Sequence, residues 1–521
     1  MKKQIKFAFI SLLISWYFVI PETSYSGQSL TQKVFTGYEL AQDWDLISAE
    51  KLSNTLLKEY PESGDVHFLR ARIEFLKGNY ERSWEILQKV SGNFKEIADF
   101  KKLVNATRQA AKNFITHETE HFIIRYEEGP DEVLLLYAKE VLEKSYRVLG
   151  EILEYYPQDK ILIEIYPDRE PFSKISPLTL QDILTSGTVA LCKYNRIMTI
   201  SPGSLVRGYN WMDTLSHEFV HYLLTKKSRN RLPLWVHEGI AKMLEKRWRN
   251  DPKYMSPIME TILSGALKNN YRVELKDMMP SLAKLKTAKD VQLAYAEVST
   301  MMEYLAEKKG IKIFSRLLED LAIGKTFDDS FLARVGTNQS SFQNKWETWA
   351  KKKELKYIPG VTALNKEFKS KNELEPEKDF KGMRTKRARD LTFLGDILKS
   401  RDHYMAAILE YRKAKKESKT HSPILFNKLA STYIQTRKYN EAELILKESL
   451  EYYPDFHTTL SNLGELYFIS ERYGAAQKYL EKAVLINPFN PFIHTRLIDL
   501  YDRMKMPEKK KLQTKLFSFI D

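Results

Sequence analysis

The chain has 521 residues, 43% hydrophobic and 29% charged, with a formal net charge of +14. That length suits about three domains, and that apolar content builds real cores, which excludes a disordered protein. The basic residues are interspersed with acids, and neither a nucleic-acid fold signature nor a zinc-knuckle spacing occurs, so nucleic acid is not expected as a partner.

Lys2, Lys3 and Lys6 precede an apolar run over residues 7–20, followed by Pro21 and the small residues Ser24 and Ser26. This is the pattern of a signal peptide over residues 1–26. The run is shorter than the roughly 20 apolar residues of a membrane span, and no cysteine stands near Ser26 to carry a lipid anchor. The mature chain is therefore expected to be exported, periplasmic or secreted, with a peripheral contact to an anionic cell-envelope surface left open by its basic charge. Residues 27–115 read as N-terminal helical repeats: Ala49 and Pro61 close one helical hairpin, and Ala71, Gly78, Tyr80, Ser83 and Leu87 mark the next.

Residues 116–350 mix strands and helices. Residues 121–126 alternate polar and apolar, residues 131–155 are helical, and residues 160–166 form a second strand. Residues 187–191 and 197–200 flank a turn and predict a further strand or hairpin. Cys192, the only cysteine, falls here as a small strand residue, so no intramolecular disulfide forms.

The motif with chemistry is His217-Glu218-Phe219-Val220-His221. Residues four apart share a helix face, so both histidines reach one ion, and Glu218 addresses a water on it. Trp211, Leu215, Phe219 and Leu223 form a buried stripe beside them. Zinc with a few nitrogen or oxygen ligands and one open position makes such a water nucleophilic near neutral pH, and Glu218 would take its proton. A second helix over residues 232–241, with Pro233 near its start, carries His237 and Glu238. Neighbouring helical positions point about 100° apart, so only one of these two faces the ion.

With Trp235, Glu238, Gly239 and Ala241 in a WxxEGxA pattern, the HExxH stretch resembles the gluzincin metallopeptidases, the thermolysin-like families of the MA clan. The resemblance implies a zincin-like domain, a small sheet plus active-site helices, that holds Zn2+ on His217, His221 and Glu238, with Glu238 preferred over its rival His237. It implies Glu218 as general base, a peptide or protein substrate laid on an edge strand within residues 187–200, and a tyrosine, Tyr295, that steadies the oxyanion. The metzincin pattern is absent, since Leu224 and Lys227 stand where its glycine and third histidine would be.

Residues 351–387 are rich in lysine, glutamate and turn formers and read as a charged linker. Residues 388–521 are a repeat array: Gly395, Tyr404, Ala407, Tyr411 and Ala414 recur as Ala430, Tyr439, Ala442, Leu446 and Ser449, then as Gly464, Tyr473, Ala476, Leu480 and Ala483. These positions resemble tetratricopeptide repeats, whose groove implies a protein partner. The expected fold class is α+β, a zincin-like domain flanked by all-α repeats. Because the motifs precede the linker, the repeats are expected to select a partner without supplying chemistry, and a chain ending near Lys351 is expected to fold. The competing reading is a non-catalytic repeat scaffold with a retained zincin-like module.

Overall fold

The computed structural model describes residues 29–91, 94–279, 282, 285, 287–364, 366–369, 383 and 385–521; the signal peptide expected over residues 1–26 lies outside them. Among the described residues no helix is long and apolar enough to cross a membrane.

The architecture is α+β, a five-stranded mixed sheet and its helices between helical repeats on both sides. The N-terminal hairpins are α1 (Leu30–Gln42) with α2 (Leu46–Glu59) and α3 (Gly64–Leu76) with α4 (Tyr80–Gln88), followed by α5 (Lys95–Ala110). Ser29 and Asp45 cap the first two helices through their side-chain oxygens. Ala71 and Ser83 are fully buried where α3 meets α4, and the Ser83 hydroxyl donates to the Ala71 carbonyl at 2.7 Å.

The sheet contains β1 (Phe114–Glu118), β2 (Phe122–Glu127), β3 (Ile161–Tyr166), β4 (Ala190–Lys193) and β5 (Arg196–Ile200), in the order β1-β2-β3-β5-β4. α6 (Glu132–Leu153) carries the crossover between the parallel strands β2 and β3, while α7 (Arg169–Ile175) and α8 (Leu180–Ser186) lead to β4. The outer pairs, β1 with β2 and β4 with β5, are antiparallel. Tyr194 and Asn195, both at φ 57°, make the two-residue turn between β4 and β5, the conformation that matches the twist of a tight hairpin. This leaves β4 as an edge strand.

One sheet face packs on α6 and on α9 (Trp211–Ser228), with the Phe122 ring 5.5 Å from that of Phe219. The N-terminal repeats cover the other face, where Arg125 donates to the Gly78 carbonyl at 2.8 Å. Under that cover lies a charge pair with no exposure, Arg196 Nε to Glu164 Oε2 at 3.0 Å. The Tyr80 and Tyr166 hydroxyls donate to Glu164 at 2.5 and 2.8 Å, and the Arg196 guanidinium lies 4.8 Å from the Phe75 ring centre. Removing one partner of a buried pair strands the other, so Arg196→Met is expected to cost about 3–5 kcal/mol. Denaturant unfolding checks this; a loss under about 1 kcal/mol would mean that the tyrosines and Arg125 satisfy Glu164 alone.

The helical part of the central unit continues with α10 (Leu234–Leu244), α11 (Pro257–Lys268), α12 (Ala288–Lys309), α13 (Ile313–Ala322), α14 (Phe327–Val335) and α15 (Gln339–Lys352). The C-terminal pairs are α16 (Lys386–Ser400) with α17 (Tyr404–Glu417), α18 (Pro423–Gln435) with α19 (Tyr439–Tyr452), α20 (His457–Ile469) with α21 (Tyr473–Ile486), and α22 (Pro491–Arg503) with α23 (Pro507–Phe517). Their recurring small residues are contact points: a Cβ at Gly395 would lie 2.5 Å from the Tyr411 ring, and one at Gly464 2.5 Å from Leu480.

The C-terminal array does not stand apart from the central unit, and its contacts oppose the expectation that a chain ending near Lys351 folds by itself. Leu516 belongs to the central core, and Leu485, Phe489, Phe519 and Ile520 pack against it. Trp211 Nε1, at the start of α9, donates to the Leu485 carbonyl at 2.9 Å, and Asn210 Nδ2 donates to Asp455 at 2.8 Å. Gly208, at φ +64°, leaves room for the Ile486 carbonyl, which a Cβ would approach to 2.3 Å. Part of the segment read as a linker is also built in: Val361 and Phe368 are buried, the Thr362 N–H donates to the Tyr453 hydroxyl, and the Val206 N–H donates to the Glu367 carbonyl. Turn-rich composition hid these contacts, because they use backbone groups and isolated apolar residues with no periodicity.

Candidate metal centre

α9 runs under the sheet with Leu215, Phe219 and Leu223 fully buried, and this turns His217 and His221 together toward α10. Their Nε2 atoms are 3.2 Å apart. Glu238 Oε2 approaches them at 3.6 and 3.5 Å. Tetrahedral zinc with ligands at about 2.0–2.1 Å spaces its donors by roughly 3.3 Å, so the three atoms surround one point at the separation such an ion requires. Glu238 Oε2 is buried without a hydrogen-bond donor, an arrangement that a cation would relieve. Burial opposes ionisation of Glu238, but His221 and His217 beside it hold the carboxyl well below the usual range. The donor set fits a divalent cation. Side-chain exposures of 13–15% at the three donors leave the point open to solvent on one side.

The order of residues on α10 explains how Glu238 arrives there. Pro233 starts the helix, and Trp235 packs among the rings of Phe327, Phe331 and Phe342. On the other side a Cβ at Gly239 would meet the Val298 carbonyl at 2.5 Å, so only glycine lets α10 lie directly on α12. That contact brings Tyr295, one turn before Val298, beside Glu238; burial, with the Glu238 charge adding to it, raises the phenol's pKa.

His237 is placed behind the donor point. Its Nδ1 is 3.4 Å from His221 Nδ1, and burial, helped by His221, pushes its proton affinity down to about 3. Of the two neighbours, Glu238 faces the Nε2 pair. Glu245, which the motif search did not single out, stands 3.3 Å from His217 Nδ1 and 2.6 Å from Lys242 Nζ. Burial opposes its charge, yet Lys242 and His217 hold its carboxyl down at about 2. A carboxylate on the far nitrogen of a ligating histidine fixes the ring and its tautomer. The only hint in the sequence is that Glu245 follows Glu238 by seven residues, two helical turns along the same face.

Glu218 is 7% exposed and accepts the backbone N–H of Cys192 on β4. Burial raises its carboxyl above the ordinary value, against the pull of His221 and His217. The Ile200 N–H donates to the Val189 carbonyl at 2.7 Å, and antiparallel pairing alternates. The backbones of Val189, Leu191 and Lys193 are therefore spent on β5, while those of Ala190 and Cys192 turn to the open edge beside Glu218. The edge strand expected within residues 187–200 is thus β4. The Cys192 thiol is half-buried, and burial pushes its proton affinity up, with Glu218 adding to the effect; it is a poor nucleophile.

A helix pair presenting two histidines, a carboxylate and a neighbouring glutamate beside the edge of a small mixed sheet is the arrangement of a zincin-like fold. Residues 157–352 match the model of the peptidase MA superfamily, and residues 425–456 and 457–490 match tetratricopeptide repeats, so the chain joins a peptidase MA superfamily region to a repeat array. Comparison with curated proteins gave no match. Among solved structures, native yeast LTA4 hydrolase is similar at 12% identity and a TM-score of 0.32, over 78% of this chain and 66% of that one, just under two thirds of its length. The Cut9–Hcn1 hetero-tetramer of the APC/C aligns at 12% identity and a TM-score of 0.25 over 95% of both chains. Yeast Tom70 aligns at 11% identity and a TM-score of 0.20 over 93% of this chain and 89% of that one.

Proposed function

We propose that the protein is an exported zinc-dependent metallopeptidase whose repeats engage a protein partner or substrate. The observation that carries this reading is the convergence of His217, His221 and Glu238 on one point beside Glu218 and the open edge of β4. His217, His221 and Glu238 would hold the ion, with Glu245 orienting His217. Bound zinc supplies the Lewis acidity that polarises a peptide carbonyl and acidifies a water. The open backbone groups of Ala190 and the Cys192 carbonyl would align the peptide by strand addition. Glu218 removes a proton from the attacking water and passes it to the leaving amine. The Tyr295 phenol, beside Glu238, would donate to the developing oxyanion. Export rests on the composition of residues 1–26, and the excess of basic residues supports a peripheral contact with an anionic envelope surface.

The test of the donor set is metal content. Glu238→Ala is expected to lower zinc occupancy far more than His237→Ala, because only the first removes an atom facing both Nε2 nitrogens. The reverse order by elemental analysis would reassign the third ligand. Hydrolysis of a peptide library by the zinc-loaded chain tests the activity itself.

A further inference from the structure

The open edge of β4 has a direction: Lys193 stands at its turn end, over the Tyr194 ring at 5.4 Å, and Lys366 stands at the other end. A peptide pairing antiparallel to β4 runs back along it, so its C-terminal end points past Ala190 toward Gly187. Parallel pairing would bring an N-terminal ammonium there instead. At that end Lys366 Nζ donates to the Gly187 carbonyl at 2.9 Å and lies 5.4 Å from the Tyr209 ring centre. Tyr209 in turn bonds the Ile200 carbonyl at 2.5 Å and the Thr199 hydroxyl at 2.9 Å, which registers Lys366 to β5 and through it to β4.

Lys366 is not on a loose tether. On its C-terminal side, the Glu367 carbonyl accepts the Val206 N–H at 2.9 Å, the Lys369 N–H donates to the Ser204 carbonyl at 2.8 Å, and Phe368 is buried between them. Lys242, Glu245 and Glu218 lie within its electrostatic range, but Lys242 is already spent on Glu245 at 2.6 Å. Lys366 is an exposed residue whose ammonium uses one donor on Gly187 and makes no ion pair with a described carboxylate; burial of the ammonium lowers its pKa to about 8, which leaves it charged near neutral pH. It stands outside residues 157–352, on the segment that composition alone marks as linker.

We propose that Lys366 reads the C-terminal carboxylate of a peptide laid antiparallel on β4, so that the favoured substrates are short peptides or chain ends with a free carboxylate a few residues beyond the scissile bond. The assignment rests on the peptidase reading of the same cleft. At the Gly187 end a carboxylate gains a charge-assisted hydrogen bond from Lys366, whereas an ammonium there meets the like charge directly.

The test uses the full chain carrying Glu218→Gln, so that bound peptides persist, and a library of short fluorescent peptides made both as free acids and as carboxamides. Free acids are expected to bind about tenfold tighter than their carboxamides. The gap should close in Lys366→Ala and in Lys366→Gln, which keeps a donor for Gly187 while removing the charge, and return in Lys366→Arg, with carboxamide affinity unchanged throughout as the control for folding. Equal affinities with Lys366 present, a gap that survives in either neutral variant, or no binding of either peptide form would overturn the assignment. Failure of the underlying function is read separately: a zinc-loaded parental chain that cleaves no peptide overturns the peptidase reading. Cleavage of carboxamides without any affinity gap overturns only the role of Lys366.

Discussion

Glu218→Gln is expected to lower peptide turnover by about a thousandfold or more while leaving zinc bound. The three donor atoms belong to His217, His221 and Glu238, and Glu218 is not among them. Its carboxylate instead accepts the Cys192 N–H. Glutamine keeps that acceptor and the side-chain volume, so β4 stays in place and only the proton-accepting group is lost. Turnover and metal content measured on the same preparation decide the matter. Near-parental turnover would remove Glu218 from the mechanism, and loss of zinc with turnover would make it a ligand or a structural prop.

The second large effect is expected from removing the C-terminal array. A chain ending at Lys352 loses Leu516 from the core and uncovers the surface on which Leu485, Phe489, Phe519 and Ile520 pack. Each large apolar side chain lost from burial costs about 1.5–3 kcal/mol, and the Trp211 indole N–H loses its Leu485 acceptor, about 1–3 kcal/mol more if it stays dry. Set against a typical total stability of 5–15 kcal/mol, this removes most of what holds α9 in place. The truncated chain should show no cooperative unfolding transition, weak near-ultraviolet dichroism and little zinc. A soluble truncation that unfolds cooperatively and holds stoichiometric zinc would mean that the repeats are an appendage after all.

What was legible in the sequence was whatever repeats locally. Helical spacing marked the stripe of Trp211, Leu215, Phe219 and Leu223, alternation marked β2, and the recurrence of small residues marked the paired helices at both ends. The meeting of His217 and His221 follows from one helical turn, while the place of Glu238 rested on likeness to a family. What stayed hidden depends on where distant segments meet. Glu245 and Lys366 have no motif of their own; one acquires meaning from the far nitrogen of His217 and the other from the carbonyl of Gly187. The buried pair of Glu164 and Arg196 reads in sequence as two ordinary charges on strands, and only the cover of Phe75 and Tyr80 makes it interior. Docking of the repeats was invisible for the same reason, since a solenoid helix that packs on a neighbour looks like one that packs on its own partner.

The bond between the Trp211 indole and the Leu485 carbonyl joins positions 274 residues apart. A ribosome adding about 5–20 residues per second needs roughly 15–55 s to cover that stretch, against microseconds for a helix to form once its surroundings exist. Until Leu485 has been made, the segment bearing both histidines waits without this buttress.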